Sequence, residues 1–111
     1  MYLEHIGIAV RSIEQGLNQW VGMFGYTQYT EEVINTRQQV RVVFLTKDGE
    51  IPVKLVAPVD NDSPLVTFLR KSGCGLHHLC FLCDSIEVEV ARLTSQGARL
   101  LAGPEHGEAF D

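Results

Sequence analysis

The sequence lacks the features that would place it in a membrane or on nucleic acid. The stretch from Val40 to Leu45 is among its longest apolar runs, and Arg41 already interrupts it, whereas a membrane-spanning helix needs about 20 apolar residues. Nine Lys and Arg stand against fourteen Asp and Glu, so the far field of the chain repels a phosphate backbone. The N-terminus lacks the basic and apolar segments of a secretory signal. We expect no membrane span, no nucleic-acid partner and a cytoplasmic location.

Cysteine is scarce as well, with three residues in the chain. Cys80 and Cys83 are spaced as C-x-x-C, but positions i and i+3 of a strand face opposite sides of a sheet. That placement does not suit a shared metal ion or a redox disulfide. Together with Cys74, these residues are expected to be three reduced thiols.

Length and composition predict one globular domain. The chain has 111 residues, of which 45% are hydrophobic and 21% are charged. This is enough apolar material for one packed core, and too short a chain for two independent cores. A single domain over residues 1–111 is therefore predicted.

Hydrophobic spacing predicts two stretches with the same order of elements. In the first, Ser12 with Gln15 begins a helix that Gly25 ends. In the second, Asp84 with Glu87 begins the helix. The predicted elements are, in order, a strand at 3–10, a helix at 12–25, strands at 26–34, 40–45 and 51–57, a short helix at 65–71, a strand at 75–83, a helix at 84–97, a strand at 98–102 and a loop at 103–111.

The two stretches also match residue by residue. When His78 is placed under His5, residues 5–14 align with 78–87, and both contain the triplet Ser-Ile-Glu. This indicates a duplicated βαβββ module. We predict a first module at 1–58, a connector helix within 59–74, and a second module at 75–111 that stops after βαβ. Either the parent protein is longer, which we favour, or the second module leaves a sheet edge that a partner covers.

Several motifs, taken in order, resemble one superfamily. They are LEHIGIAV at 3–10, VRVVFL at 40–45, LVAP at 55–58, DSP at 62–64, FL at 68–69 and GLHHL at 75–79. Their order and spacing resemble the vicinal oxygen chelate superfamily. It contains glyoxalase I, the bleomycin-resistance proteins, the extradiol dioxygenases and methylmalonyl-CoA epimerase, of which the epimerase is the nearest.

The resemblance implies an α+β fold in which paired βαβββ modules curl around a cleft. It also implies a divalent metal in that cleft, such as cobalt, manganese, nickel, zinc or magnesium, and it puts His5 and His78 at two ligand positions. The strand pattern agrees, because Gly7 and Ala9 share the face of His5 and Cys80 shares that of His78. Bulkier neighbours face the other way. His77, next to His78 in the sequence, is expected to be a packed or hydrogen-bonded residue rather than a ligand.

Three departures from the family pattern stand out. Lys54 occupies the place of the third metal ligand, and an ammonium group has no lone pair to offer a cation. The fourth ligand would lie beyond Asp111. The carboxylates that the family uses for proton transfer have no counterpart on the third strand, which carries Gln38, Gln39 and Arg41 instead. No catalytic residue is therefore assigned, and Lys54 and Arg41 are predicted to bind an anionic substrate.

Three functions remain open from the sequence. The first is a metal-dependent isomerase or epimerase, or a glyoxalase-type lyase, acting on a small carbonyl compound or acyl-CoA thioester through an enolate. The second is a metal-free binding protein of the bleomycin-resistance type, in which Lys54 and Arg41 hold an anion. The third is a non-catalytic interaction subunit. A homodimer is expected because the family pairs its modules.

Overall fold

The computed structural model describes residues 1–101, and its strands form one mixed sheet. The elements in chain order are β1 (Tyr2–Ala9), α1 (Ile13–Leu17) continued by a π-helical turn (Asn18–Met23), β2 (Thr27–Gln28), β3 (Val33–Asn35), β4 (Val40–Thr46), β5 (Val53–Pro58), α2 (Pro64–Ser72), β6 (Gly75–Leu82) and α3 (Ile86–Ser95). The predicted α+β fold class is confirmed. The structure contains no helix among these residues that is long and apolar enough to cross a membrane.

The sheet has the strand order β2–β4–β5–β1–β6, and β3 also pairs with β4. β1 runs parallel to β5 and antiparallel to β6. The first strands of the two repeats are therefore neighbours, and they bring Gly7 opposite His78 and His5 opposite Cys80. β4 and β5 form a hairpin whose turn contains Gly49 at a φ of 77°, a conformation that glycine adopts without steric cost.

Alternation along the strands gives the sheet two apolar faces. On one face, strand residues such as Val43, Leu45 and Leu55 pack against Ile13 of α1. On the other face, Val42, Phe44 and their neighbours pack against α2. The buried members of this second cluster are Ala9, Val40, Val42, Phe44, Val56, Leu65 and Leu69. Because α2 covers only part of this second face, room remains beside it for a cavity.

The equivalent helices of the two repeats begin in the same way. Ser12 accepts a hydrogen bond from the Gln15 backbone N–H at 3.2 Å, and Ser85 accepts one from the Val88 N–H at 3.3 Å. The first cap agrees with the prediction. The second corrects it, because Ser85 rather than Asp84 is the N-cap. A hydroxyl at the position equivalent to Ser12 therefore begins α3.

Other boundaries differ from the predicted ones. The single strand expected at 26–34 is divided into β2 and β3, and the Thr30 hydroxyl between them accepts the backbone N–H of Phe44 at 3.0 Å. The helix expected to run to Gly25 becomes π-helical at Asn18. Residues 98–101 form no strand. Residue 102 and the loop expected at 103–111 lie outside the described residues.

Candidate functional site

A cavity of about 290 Å³ lies on the face of the sheet that carries α2. β4, β5, β6 and α2 all contribute to its walls, as does the turn before β4. Its lining residues are Gln38, Val40, Lys54, Val56, Leu65, His77 and His78. The walls thus combine apolar surface with one ammonium group and two imidazoles, and none of these described lining residues is a carboxylate.

His5 lies beneath this face and is 4% exposed. Its ring is edge-on to Phe44, with centroids 5.3 Å apart, and edge-on to His78 at 5.8 Å. The Nδ1 atom contacts the Glu4 carboxylate. The Nε2 atom is buried and has no hydrogen-bond partner among the described residues. A buried imidazole nitrogen with no partner is costly, so this atom is available to a ligand.

Gly7 determines where the His78 imidazole lies. A Cβ atom added at Gly7 would sit 2.0 Å from Cε1 of His78, because the ring packs directly over the glycine backbone. Burial, together with the neighbouring Lys54, His77 and His5, lowers the pKa of His78 to about 4. The ring is therefore neutral at pH 7 and keeps a lone pair for a metal ion or a proton.

Two β-bulges disturb the pairing of β1 with β6 beside the cavity. The register skips Glu4 on β1 and His77 on β6. A bulge re-aims side chains, and here the consecutive residues His77 and His78 come together, with their Nδ1 atoms 2.8 Å apart. The His77 ring also meets Phe68 of α2, at a centroid distance of 4.7 Å. These two contacts agree with the expectation that His77 is packed or hydrogen-bonded. Its exposure and its place in the lining of the cavity were not foreseen.

Lys54 extends into the same cavity from β5. Its Nζ atom lies 5.7 Å from the centroid of the Phe44 ring, and no salt bridge to a carboxylate forms within residues 1–101. Burial lowers the pKa of Lys54, although Cys80 and Glu4 act in the opposite direction. The ammonium group also lowers the pKa of both His77 and His78, after burial. An anion entering the cavity would meet a cation that forms no salt bridge with any carboxylate of the described residues.

Arg41 does not line this cavity. Along β4 it alternates with Val42 and Phe44, which face α2, so its side chain belongs to the opposite face of the sheet. There its guanidinium donates to Glu32 at 3.0 Å. The structure therefore brings together His5, His78 and Lys54 of the predicted site residues, and it separates Arg41 from them. The expected joint grip of Lys54 and Arg41 on one anion is not supported by these positions.

Sequence reasoning missed Glu4, Cys80 and His77, which lie next to the predicted site residues. Glu4 and Cys80 join the predicted His5 in a group whose potential ligand atoms all lie within 4.8 Å of one another. Burial and the nearby Glu4 raise the pKa of the Cys80 thiol, which Lys54 partly offsets, so the free thiol is protonated at neutral pH. The place of His77 in the lining of the cavity was missed as well. The bulges that place Glu4 and His77 leave no signal in the pattern of apolar residues.

The donor groups are compatible with a divalent metal ion. The Nε2 atom of His5 has no partner, and its Nδ1 atom rests on a carboxylate, which is the usual arrangement around a metal-bound histidine. His78 adds a second neutral imidazole. Imidazole nitrogens suit first-row transition metals better than magnesium. Lys54 adds charge but no lone pair, so it weakens rather than completes such a site.

Comparisons with known proteins show the family to which the chain belongs. The family model of the Glyoxalase/Bleomycin resistance protein/Dioxygenase superfamily matches residues 4–111. An uncharacterized Bacillus subtilis protein, YqjC, is 35% identical over 89% of this chain and 69% of its own length. The human mitochondrial methylmalonyl-CoA epimerase is 33% identical over 90% of this chain, which spans only 56% of that enzyme.

A solved structure shows the same similarity in three dimensions. The methylmalonyl-CoA epimerase from Mycobacterium tuberculosis superimposes with a TM-score of 0.80 at 31% identity, covering 91% of this chain and 67% of the other. The predicted resemblance is thereby confirmed at the level of sequence and fold. The chain belongs to the glyoxalase/bleomycin resistance protein/dioxygenase superfamily, and among its relatives are methylmalonyl-CoA epimerases.

Proposed function

We propose that this protein binds a negatively charged carbonyl compound, in the first place a carboxyacyl-CoA thioester, and interconverts its isomers by exchanging the proton on the α-carbon. The similarity to methylmalonyl-CoA epimerases supports the reaction class. The single observation that carries the proposal is the Lys54 ammonium group, which shares a cavity with His78 and has no salt-bridge partner among the described residues.

Lys54 explains why the ligand should be anionic. Its partial burial costs solvation free energy, which the nearby Glu4 offsets only in part, and no carboxylate of residues 1–101 forms a salt bridge with it. A bound carboxylate would supply the missing partner. The same ammonium group would stabilise the negative charge that develops on the carbonyl oxygen as an enolate forms, because a fixed cation in a sheltered cavity needs little reorganisation.

The imidazoles contribute in two ways. His5 and His78 would hold a divalent metal, which when bound polarises a substrate carbonyl and favours loss of the α-proton. His77 and His78 are the described groups lining the cavity that can accept a proton, since both are neutral at pH 7. These two rings are the candidates for the general base.

Two measurements on the purified protein test this proposal. Metal content is measured by mass spectrometry on protein prepared without chelator or histidine tag, beside a His5→Ala, His78→Ala double variant. Exchange of the α-proton of methylmalonyl-CoA is followed by NMR in deuterated water. We expect about one divalent metal per chain, lost in the double variant, and exchange that falls by about 10²-fold in Lys54→Gln. The matched control Lys71→Gln, on the exposed end of α2, retains exchange.

The same measurements define the failure of the proposal. Absence of exchange in wild-type protein that has its metal bound would contradict an epimerase. Exchange at the wild-type rate in Lys54→Gln would contradict the proposal that Lys54 binds the carboxylate and stabilises the enolate. A fold check by circular dichroism on each variant separates loss of function from loss of structure.

One observation favours a second candidate, a metal-free binding protein of the bleomycin-resistance type. Lys54 approaches the histidines closely enough to lower the pKa of His77 and His78, and a cation so placed opposes a metal ion. Binding of a carboxyacyl thioester with neither metal nor exchange would identify this function. A non-catalytic interaction subunit is indicated instead if neither metal nor ligand binds.

We also propose a homodimer. Among the described strands β6 pairs only with β1, so within residues 1–101 its other edge has no strand beside it. Leu76, Leu79 and Phe81 on β6 are 48–59% exposed. Sedimentation equilibrium of the full chain tests this, and a monomer at micromolar concentration would contradict it.

A further inference from the structure

A separate cavity lies where α2 packs beside the carboxyl ends of β1 and β5. It measures about 280 Å³, just below the range of roughly 300–1,000 Å³ that is usual for small-molecule sites. None of its lining residues lines the cavity that contains Lys54. We name it the arginine cavity, and its lining residues are Arg11, Pro58, Val66, Leu69 and Arg70.

The parallel pairing of β1 with β5 brings one arginine to this cavity, and α2 brings the other. Ala9 is the register partner of Val56. Arg11 and Pro58 each lie two positions further along, so they reach the same level at the ends of their strands. Arg70 comes from the last turn of α2. Two guanidinium groups that are far apart in the sequence therefore line one small cavity.

The charge of the two arginines is not compensated within residues 1–101. Neither Arg11 nor Arg70 forms a salt bridge there. None of the described residues that line the cavity is a carboxylate, although Asp and Glu outnumber Lys and Arg by 14 to 9 in the chain. Two cations beside one cavity repel each other. An anion bound between them would replace that repulsion with two favourable interactions.

The remaining wall of the arginine cavity is apolar. Leu69 is 5% exposed, and Pro58 and Val66 are partly buried. Contact with this surface favours a ligand that carries a hydrocarbon group, because burying apolar area from both partners is favourable. The cavity therefore combines anion recognition on one side with apolar contact on the other.

We propose that the arginine cavity binds a small phosphate monoester, with the phosphate between Arg11 and Arg70 and the organic group against Val66 and Leu69. A phosphate monoester carries a charge of about −2 near pH 7 and three acceptor oxygens, so it can engage two guanidinium groups. A carboxylate carries one charge, which a single arginine matches. This site is independent of the carbonyl site proposed above.

Titration of the full chain with mono-n-butyl phosphate tests this site. NMR signals of the arginine Nε–H groups report the contact, and we expect those of Arg11 and Arg70 to shift along one saturable curve. Arg11→Gln and Arg70→Gln should each weaken binding by about tenfold. Lys71→Gln is the matched control, because it removes the same charge from the next residue of α2 without changing the lining of the cavity. Inorganic phosphate should bind several-fold more weakly than the butyl ester.

Other outcomes would overturn the proposal. They are the absence of saturable binding, unchanged affinity in both arginine variants, and equal weakening by Lys71→Gln, which would reveal only a response to net charge. Lys54→Gln should leave the affinity unchanged, and a loss there would place the phosphate in the first cavity instead. Arg70→Lys should retain part of the affinity, since it keeps the charge and loses the paired geometry. Circular dichroism checks the fold of each variant.

Discussion

The two repeats of this chain carry the same sequence pattern but differ sharply in burial. In the first repeat, Val43, Leu45, Val53 and Leu55 are completely buried. In the second, no hydrophobic side chain among residues 75–101 is buried, and Phe81 and Val88 remain 48% and 61% exposed. Both repeats place a strand before a helix that is capped by serine. The pattern therefore determines the elements, whereas burial depends on the strands available to pack against them.

The difference has a direct structural cause. In the first repeat β4 and β5 extend the sheet beneath α1, so the helix meets a broad apolar face. In the second repeat α3 follows β6, and within residues 1–101 no further strand follows α3 to extend the sheet beneath it. The cavity belongs to both halves, because β5 supplies Lys54 and β6 supplies His77 and His78. Its apolar floor comes from the first repeat and its imidazoles mostly from the second.

The largest expected contrast is between two leucine truncations. Leu55→Ala removes a side chain that is fully buried in the first repeat, and it should lower the free energy of unfolding by about 3 kcal/mol. Leu93→Ala, in the partly exposed α3, should cost less than about 1 kcal/mol. Urea unfolding followed by circular dichroism measures both. Equal losses would show that α3 is packed as tightly as the first repeat.

A smaller effect is expected where the repeats touch. Gly7→Ala would push the His78 ring from its place over β1, and we expect at least about tenfold weaker binding of metal or ligand, equivalent to about 1.4 kcal/mol. Gly22→Ala is the control, since an added Cβ there has nothing within 4 Å. Titration of each variant gives the affinities. Unchanged affinity in Gly7→Ala would mean that the position of His78 is unimportant for binding.

The smallest contrast is between the two equivalent N-caps. Ser12→Ala should lower the free energy of unfolding by about 1 kcal/mol, because it leaves a backbone N–H unpaired in a helix that packs on the core. Ser85→Ala should chiefly fray α3, with a loss of only a few tenths of a kcal/mol in global unfolding. Amide hydrogen exchange distinguishes local from global opening. A larger global loss in Ser85→Ala would reverse the proposed order of stability.

Much of this architecture follows from residue patterns. Alternation predicts β1, β4, β5 and β6, and serine before a helical stripe predicts where α1 begins. The repeat puts His5 and His78 at equivalent positions of their strands, and the structure shows that these strands are neighbours. These features depend on local periodicity, which a single sequence displays directly.

The missed features depend on long-range register. Lys54 is paired with Phe44 of β4, so these two side chains lie on the same face of the sheet. Arg41 is three positions from Phe44 on β4, so its side chain lies on the opposite face. His77 reaches the cavity through a bulge, which shifts the alternation by one residue. Neither the register between strands nor an inserted bulge is visible in the spacing of apolar residues. These two features decide which charged groups share the site.

The central claim is that Lys54 and His78 contact the same anionic ligand. NMR titration of the full chain with malonyl-N-acetylcysteamine, observing the imidazole signals of His78 and the ε-methylene signals of Lys54, tests it most directly. Assignment uses the Lys54→Gln and His78→Ala variants. The account predicts that both sets of signals shift together along one binding curve in the wild-type protein. Saturable binding that leaves both sets unchanged would contradict it.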